Sequence, residues 1–233
     1  MTENPQESQA APVLGIATTG EIVTIFVGPE KKRYNLHKDI ICHHSEYFRV
    51  AYNGRWKEAD EGVTLEDVEV PVFNVFVHWL YTQQVPEKTL DLGKIANVDG
   101  KRANYSHDDI LLKACAFGNR FLATDFERVS HNHFVDHSAR FACGVAYKDI
   151  IFAYENLPDD SLLLKMLVEV QSRLWDASGD DEKEEQMRIS LPKEFLIQVM
   201  IRQAELRVWS EKDEWKMKPG DFYMQEKTGE IGE

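Results

Sequence analysis

Between Val70 and Tyr81 the chain carries a run whose apolar side chains cannot all be hidden on one side of any helix or strand. Pro71 suits the first turn of a helix, where its missing N–H removes no hydrogen bond. From there Val72, Phe73, Val75, Phe76, Val77, Trp79, Leu80 and Tyr81 wrap almost completely around a helical cylinder. A helix apolar all round, in a chain that is otherwise rich in charge, belongs at the centre of a core. Asn74 and His78 interrupt the run, and it falls short of the ~20 residues that a membrane span needs. The rest of the fold must therefore be arranged around this segment.

Upstream the period is different. Val23 to Val27 is a short β-branched and aromatic run closed by Gly28-Pro29, and Lys32 to Leu36 alternates after it. This predicts a hairpin with a charged turn over 28–31. From His37 to Asn53 the larger side chains fall at Ile40, Ile41, His44, Tyr47, Phe48, Ala51 and Tyr52, the spacing of one continuous helix with a buried face. Val63 to Glu66 is a candidate third strand. Residues 83–107 lack a clear period and read as a long connection.

Downstream the pattern is helical. Ile110, Leu111, Ala114, Cys115 and Gly118 mark one helix, and Phe126, Val129, His133 and Phe134 another. Tyr147 to Leu157 forms a stripe ended by Pro158, and Ser161 supplies a cap for Leu163 to Leu174. A last amphipathic helix starts near Ser190-Pro192, with Phe195, Leu196, Val199, Met200, Gln203 and Leu206 on its apolar side. Residues 1–19 read as a disordered leader, 138–210 as a helical extension holding an acidic, solvated linker at 176–186, and 211–233 as a charged tail. In that tail Trp215, Phe222 and Tyr223 offer docking side chains. The fold class is α+β: a small sheet capped by a helical cluster, followed by a helical C-terminal extension.

Charge and motif content exclude several functions. Forty acids against 27 bases give a net charge of −13, a field that repels nucleic acid and anionic membranes. The densest basic run, Lys31-Lys32-Arg33, is too short to track a phosphate backbone. Cys42, Cys115 and Cys143 are odd in number and lack CxxC spacing, as expected of reduced thiols in an intracellular protein, nuclear or cytoplasmic. No phosphate-binding loop, nucleophile elbow or HExxH occurs, so neither an enzyme nor a bound cofactor is expected. His133 and His137 share a helix face and are the one candidate metal pair. His131 points away at 100° per residue, leaving that pair without a third ligand.

The segment from Ile22 to Phe48 resembles a BTB/POZ domain: the Val23-Thr24 strand, then His37, a hydrophobic Ile41, Ser45 and Tyr47-Phe48. Val63 to Val68 and the helix from Pro71 to Trp79-Leu80-Tyr81-Thr82 are similar to the family's later strand and helix. The likeness extends over about 20–137. The wording at Gly28 to Lys32 and at Tyr52 to Ala59 is similar to the stand-alone members common in fungi. Two departures stand out: residues 1–19 show no helix ahead of the first strand, and the family's frequent Asp before the Val-Thr pair is Ile22.

What the resemblance implies is protein–protein interaction: homodimers, hetero-oligomers and, in some members, bridging of a substrate to a cullin scaffold of ubiquitin ligases. Cullin-binding members often carry a hydrophobic-x-Glu element, which Trp56-Lys57-Glu58 matches. Tyr52, Trp56 and Glu58 are therefore the expected partner-binding residues, with Tyr52 on the same exposed end, and His37, Ser45 and Phe48 the structural motif. Three readings stay open: a substrate adaptor for a cullin-based ligase, a dimerising transcriptional scaffold without a cullin, and a metal-binding protein using His133 and His137.

Overall fold

The computed structural model describes residues 12–53, 62–86, 89–96, 105–141, 144–208 and 217–226. Strands β1 (Ile22–Val27) and β2 (Lys32–His37) form an antiparallel hairpin in which Ile22 faces His37 and Val27 faces Lys32. Strand β3 (Val63–Leu65) pairs parallel to β1, Ile25 opposite Val63, giving the order β2-β1-β3. Along β1 every second side chain, Val23, Ile25 and Val27, is buried, as a sheet with one covered face requires.

Two short helices replace the single one expected over 37–53: α2 (Lys38–His44) and α3 (Glu46–Ala51). Ser45 separates them with an extended backbone, φ −143° and ψ 117°. Its hydroxyl accepts from the Phe48 N–H at 3.3 Å and so caps α3. A helical period carried across a residue that prefers to cap hides such a break.

Helix α4 (Val70–Thr82) is the centre of the core. Phe73, Val75 and Phe76 have no exposed surface, and Trp79 and Leu80 almost none. Phe76 sits against Phe117 at 4.8 Å, Phe126 at 5.1 Å and Phe48 at 6.3 Å between ring centroids. The expected long connection after α4 contains a helix of its own, α5 (Thr89–Ala96), which buries Leu92.

Helices α6 (His107–Arg120) and α7 (Thr124–Phe141) close the core from the other side, followed by α8 (Tyr147–Asn156) and α9 (Leu162–Leu174). The acidic stretch 176–186 is largely exposed, as a solvated linker should be, but two of its acids are tied down. Asp180 accepts from the Tyr147 hydroxyl at 2.8 Å and from Arg188 at 2.6 Å, and Glu184 accepts from the Tyr147 N–H at 3.0 Å. Asp181 caps the short helix α10 (Glu182–Met187). Composition alone misses this because one buried-edge tyrosine organises acids that look like surface charge. The chain then forms α11 (Lys193–Val208).

The N-terminal region differs from the expectation of a loose leader, and in the C-terminal tail Phe222 and Tyr223 dock on α7. Leu14–Ala17 forms one helical turn, α1, packed on α2, with Ala17 buried. A helix therefore does precede the first strand, though it is too short to give a periodic signal. At the other end, the Asn132 side chain clasps Met224 through two bonds, 2.9 and 3.2 Å, the His131 ring donates to the Phe222 carbonyl at 2.6 Å, and the Tyr223 hydroxyl donates to Asp136. Trp215 lies outside the described residues.

Candidate interaction surface

The break at Ser45 positions the surface. Besides capping α3, the Ser45 hydroxyl donates to the Phe121 carbonyl at 2.6 Å, and the Glu46 N–H donates to the Leu122 carbonyl at 3.3 Å. The start of α3 is thereby bolted to the turn between α6 and α7, where Leu122 adopts φ 51°. Phe48 turns inward with no exposed surface and stacks on Phe121, Phe76 and Tyr52.

The outward face of α3 carries Tyr47 and Val50, three residues apart and both partly exposed. Tyr47 leans edge-on against Phe121, 5.0 Å between centroids, so its orientation is fixed by the core. Leu122, across the Glu46 contact, is more than half exposed. Arg49 and Glu46 form an ion pair beside them, Nε to Oε2 2.6 Å, with both partners in water and therefore of small energetic weight. Sequence reasoning missed Tyr47, Val50 and Leu122 as surface candidates. The helical spacing put Tyr47 on a buried face, and an exposed leucine at positive φ leaves no local signal.

Tyr52 is not part of an exposed patch. It is 3% exposed, and its hydroxyl donates to the Thr24 carbonyl on β1 at 2.8 Å. Burial pushes its phenol well above the usual tyrosine range. Its polar atom is satisfied by a strand 28 residues away in sequence, a partner that no local pattern announces. Trp56 and Glu58 lie outside the described residues. The residues on either side of them converge on one point: Tyr52 bonds the Thr24 carbonyl, and Gly62, at φ 90°, passes so close that a Cβ there would stand 2.8 Å from the same oxygen. Tyr52 and Gly62, described residues on either side of the segment, thus both approach the Thr24 carbonyl of β1.

His37 ends β2 and sits against Tyr81 of α4: its N–H donates to the phenol oxygen at 3.3 Å and its Nδ1 lies 2.9 Å from it. The contact joins the hairpin to the central helix. Burial raises the Cys42 thiol to about 11 and lifts Cys115 well above its usual range, so neither is poised as a nucleophile.

His133 and His137 do share a face of α7, and a third histidine joins them. His107 lies parallel to His137 at 4.1 Å and near His133 at 5.9 Å, while the His137 Nδ1 meets Asp108 at 2.6 Å. Imidazole lone pairs lie in the ring plane. The stacked rings of His107 and His137 therefore keep theirs in separate, nearly parallel planes, which do not meet at one metal position between them. Among the described residues no group of three or more His, Cys, Asp or Glu is arranged to hold a metal, and no helix is long and apolar enough to cross a membrane. Residues 19–101 match the family model of the BTB/POZ domain.

Proposed function

The chain carries a BTB/POZ domain, and from that premise we propose that this protein–protein interaction module is non-enzymatic and serves as the adaptor that brings a target to a cullin scaffold. The anchored surface supports this reading most directly. Tyr47 and Val50 present apolar area on a rigid helix, and Trp56 and Glu58 follow that helix closely in sequence. Apolar anchors held by a packed core lose little side-chain entropy on binding, and a nearby carboxylate fixes orientation. The unpaired thiols of Cys42 and Cys115 suit the reducing interior of a cell, nuclear or cytoplasmic.

The test is co-purification of cullin with the wild type and with a Trp56→Ala, Glu58→Ala double variant. Loss of cullin with an unchanged melting temperature is the expected result. Retained cullin in the variant, or none with the wild type, removes the adaptor reading.

A second reading, a dimerising scaffold that works without a cullin, draws on the N-terminal edge. Val13, Leu14 and Ile16 around α1 are exposed, as is Ile22 at the start of β1. Light scattering decides it: a dimer that Leu14→Glu plus Ile16→Glu converts to monomer favours the scaffold.

A further inference from the structure

Helix α7 carries a row of polar side chains along the side away from the core. Its inner face holds Phe126, Ser130 and Phe134 with no exposed surface, which fixes the helix in place. Arg128, Asn132 and Asp136 follow one another at four-residue spacing, so they line up along the outer side, with His131 next to Asn132. All four hold the tail segment 217–226.

What these side chains grip is mostly backbone. The Asn132 amide oxygen accepts from the Met224 N–H at 2.9 Å, and its nitrogen donates to the Met224 carbonyl at 3.2 Å. Facing residues of an antiparallel sheet exchange two bonds in the same way, and here a side chain takes one strand's part. Two residues earlier, the His131 Nε2 lies 2.6 Å from the Phe222 carbonyl. A carbonyl cannot donate, so Nε2 bears the hydrogen. Between them Tyr223 has φ −73° and ψ 134°, an extended backbone that turns residues 222 and 224 to the same side. Its hydroxyl donates to Asp136, and Glu226 pairs with Arg128 at 3.3 Å. The spacing fits a strand running antiparallel to the helix. From Asp136 to Arg128 is about 12 Å at 1.5 Å per residue, and from Tyr223 to Glu226 is about 10 Å in extended steps.

The segment covers this face without joining the core. None of its residues is fully buried: Met217, Phe222 and Tyr223 are half-buried against the core, while Asp221, Gln225 and Glu226 are exposed. Because backbone is the main feature held, the demands on sequence are few. They are an extended stretch, a tyrosine to meet Asp136, and apolar side chains in place of Phe222 and Met224. The Arg128 pair adds little, since the Glu226 side chain is 76% exposed. A segment on the same chain competes for the site at an effective concentration of about millimolar. A second copy brings an identical segment with no advantage, and at micromolar protein it loses to the tethered one. A different protein can bring a sequence that fits better.

We propose that the outer face of α7 is a peptide-binding site for an extended apolar–tyrosine–apolar segment of another protein, and that residues 222–224 of the chain itself occupy it as a tethered competitor. His131 and Asn132 hold the incoming backbone, and Asp136 takes the tyrosine hydroxyl. The tether makes the site selective: it admits only partners that bind more tightly than the tail or that hold on elsewhere as well. This site is separate from the α3 surface and does not depend on how that surface is used.

A fluorescent synthetic peptide with the sequence of residues 217–226 tests it. The full chain carrying Phe222→Ser plus Tyr223→Ser releases its own tail, and anisotropy should show it binding the peptide about tenfold or more tighter than the wild type does. Adding Asn132→Leu to the released chain should abolish binding. Two changes in the peptide leave the protein untouched, so they keep the test open if Asn132→Leu perturbs folding. Methylating the backbone nitrogen at the Met224 position should abolish binding, because it removes the N–H that Asn132 accepts. Replacing the tyrosine by phenylalanine should weaken binding about tenfold, because the bond to a carboxylate is lost. No binding by the released chain, equal affinity for released and wild-type chains, or full affinity for the methylated peptide overturns the proposal. So does a wild-type dimer in light scattering that Phe222→Ser plus Tyr223→Ser dissociates, because the site would then hold the tail of a second copy.

Discussion

His107 lies flat against His137, ring centroids 4.1 Å apart and planes within 11°, with neither of its ring nitrogens hydrogen-bonded among the described residues. Only 5% of the residue is exposed. Burial first, then the neighbouring His137 and His133, lowers its pKa from 6.5 to about 4. Asp108 touches the stack through His137.

Acid should weaken the fold through this ring. Below pH 6.5 the unfolded chain takes up a proton that folded His107 refuses until about pH 4. Its contribution to stability is therefore complete above pH 6.5 and is lost progressively as pH falls toward 4. Burial lowers His44 to about 4 and moves His131 in the same direction. Buried carboxylates act the opposite way, so the clean readout is a difference between proteins. His107→Leu should lose less melting temperature than the wild type between pH 7 and 5, by a few degrees in a chain of this size. Calorimetry across that range checks it, and parallel curves for the two proteins would contradict it.

Asp149 is the strongest of those opposing carboxylates. Burial, only partly countered by Lys148, raises it from 3.8 to about 7. The folded protein then holds a proton that the unfolded chain has already released. Stability from this group is present at low pH and disappears as pH rises to 7. Asp149→Asn keeps the shape and removes the charge. It should gain stability over the wild type, increasingly from near pH 4 to 7 and constantly above, as read from urea midpoints at pH 5 and 8. A variant less stable at pH 8 would mean that the Lys148 contact, 3.8 Å, outweighs burial.

The central helix and the hairpin were legible because each depends on local information: residues apolar all round after Pro71, and β-branched residues ending at Gly28-Pro29. What stayed hidden depends on partners far along the chain. Ser45 reads as one more helical residue until Phe121 is known to accept its proton at 2.6 Å. The exposed end assigned to Tyr52 followed from its place just before Trp56-Lys57-Glu58, whereas its position follows from Thr24. For α11 the period was right but the direction incomplete, since apolar residues on adjoining arcs look like one face until a neighbour covers half of them.

The placement of Tyr52 separates core from surface experimentally. Tyr52→Phe removes the bond to Thr24 but keeps the ring on Phe48, and should cost about 0.5–1.5 kcal/mol. Tyr52→Ala also leaves a cavity and should cost about 3–5 kcal/mol. Tyr47→Ala, with part of its ring in water, should cost much less while weakening partner capture. Chemical denaturation with a parallel pull-down distinguishes them. If Tyr52→Phe loses a partner without losing stability, the hydroxyl faces that partner and not Thr24.

Gly118 marks a close approach of α6 and α7. A Cβ built there would stand 2.7 Å from the Glu127 nitrogen and 2.8 Å from its Cα, distances that carbon does not tolerate against backbone. Neither helix can easily retreat. The Ala123 N–H bonds the Gly118 carbonyl at 2.8 Å across the turn, and Ser45 is held by the Phe121 carbonyl just before it. Alanine is worth about 1 kcal/mol over glycine in an open helix. Overpacking against fixed backbone costs roughly 1–3 kcal/mol or more, and with two backbone atoms inside 3 Å the cost should lie at the upper end. Gly118→Ala should therefore lower stability by about 2 kcal/mol, and partner binding at α3 should weaken with it, since spreading the two helices moves the turn that anchors Ser45 and Glu46. Urea midpoints measure the first effect. Amide exchange at Phe48, whose N–H bonds the Ser45 hydroxyl, measures the second. A variant as stable as the wild type would show that the helices slide apart freely, and that the turn does not fix the surface of α3.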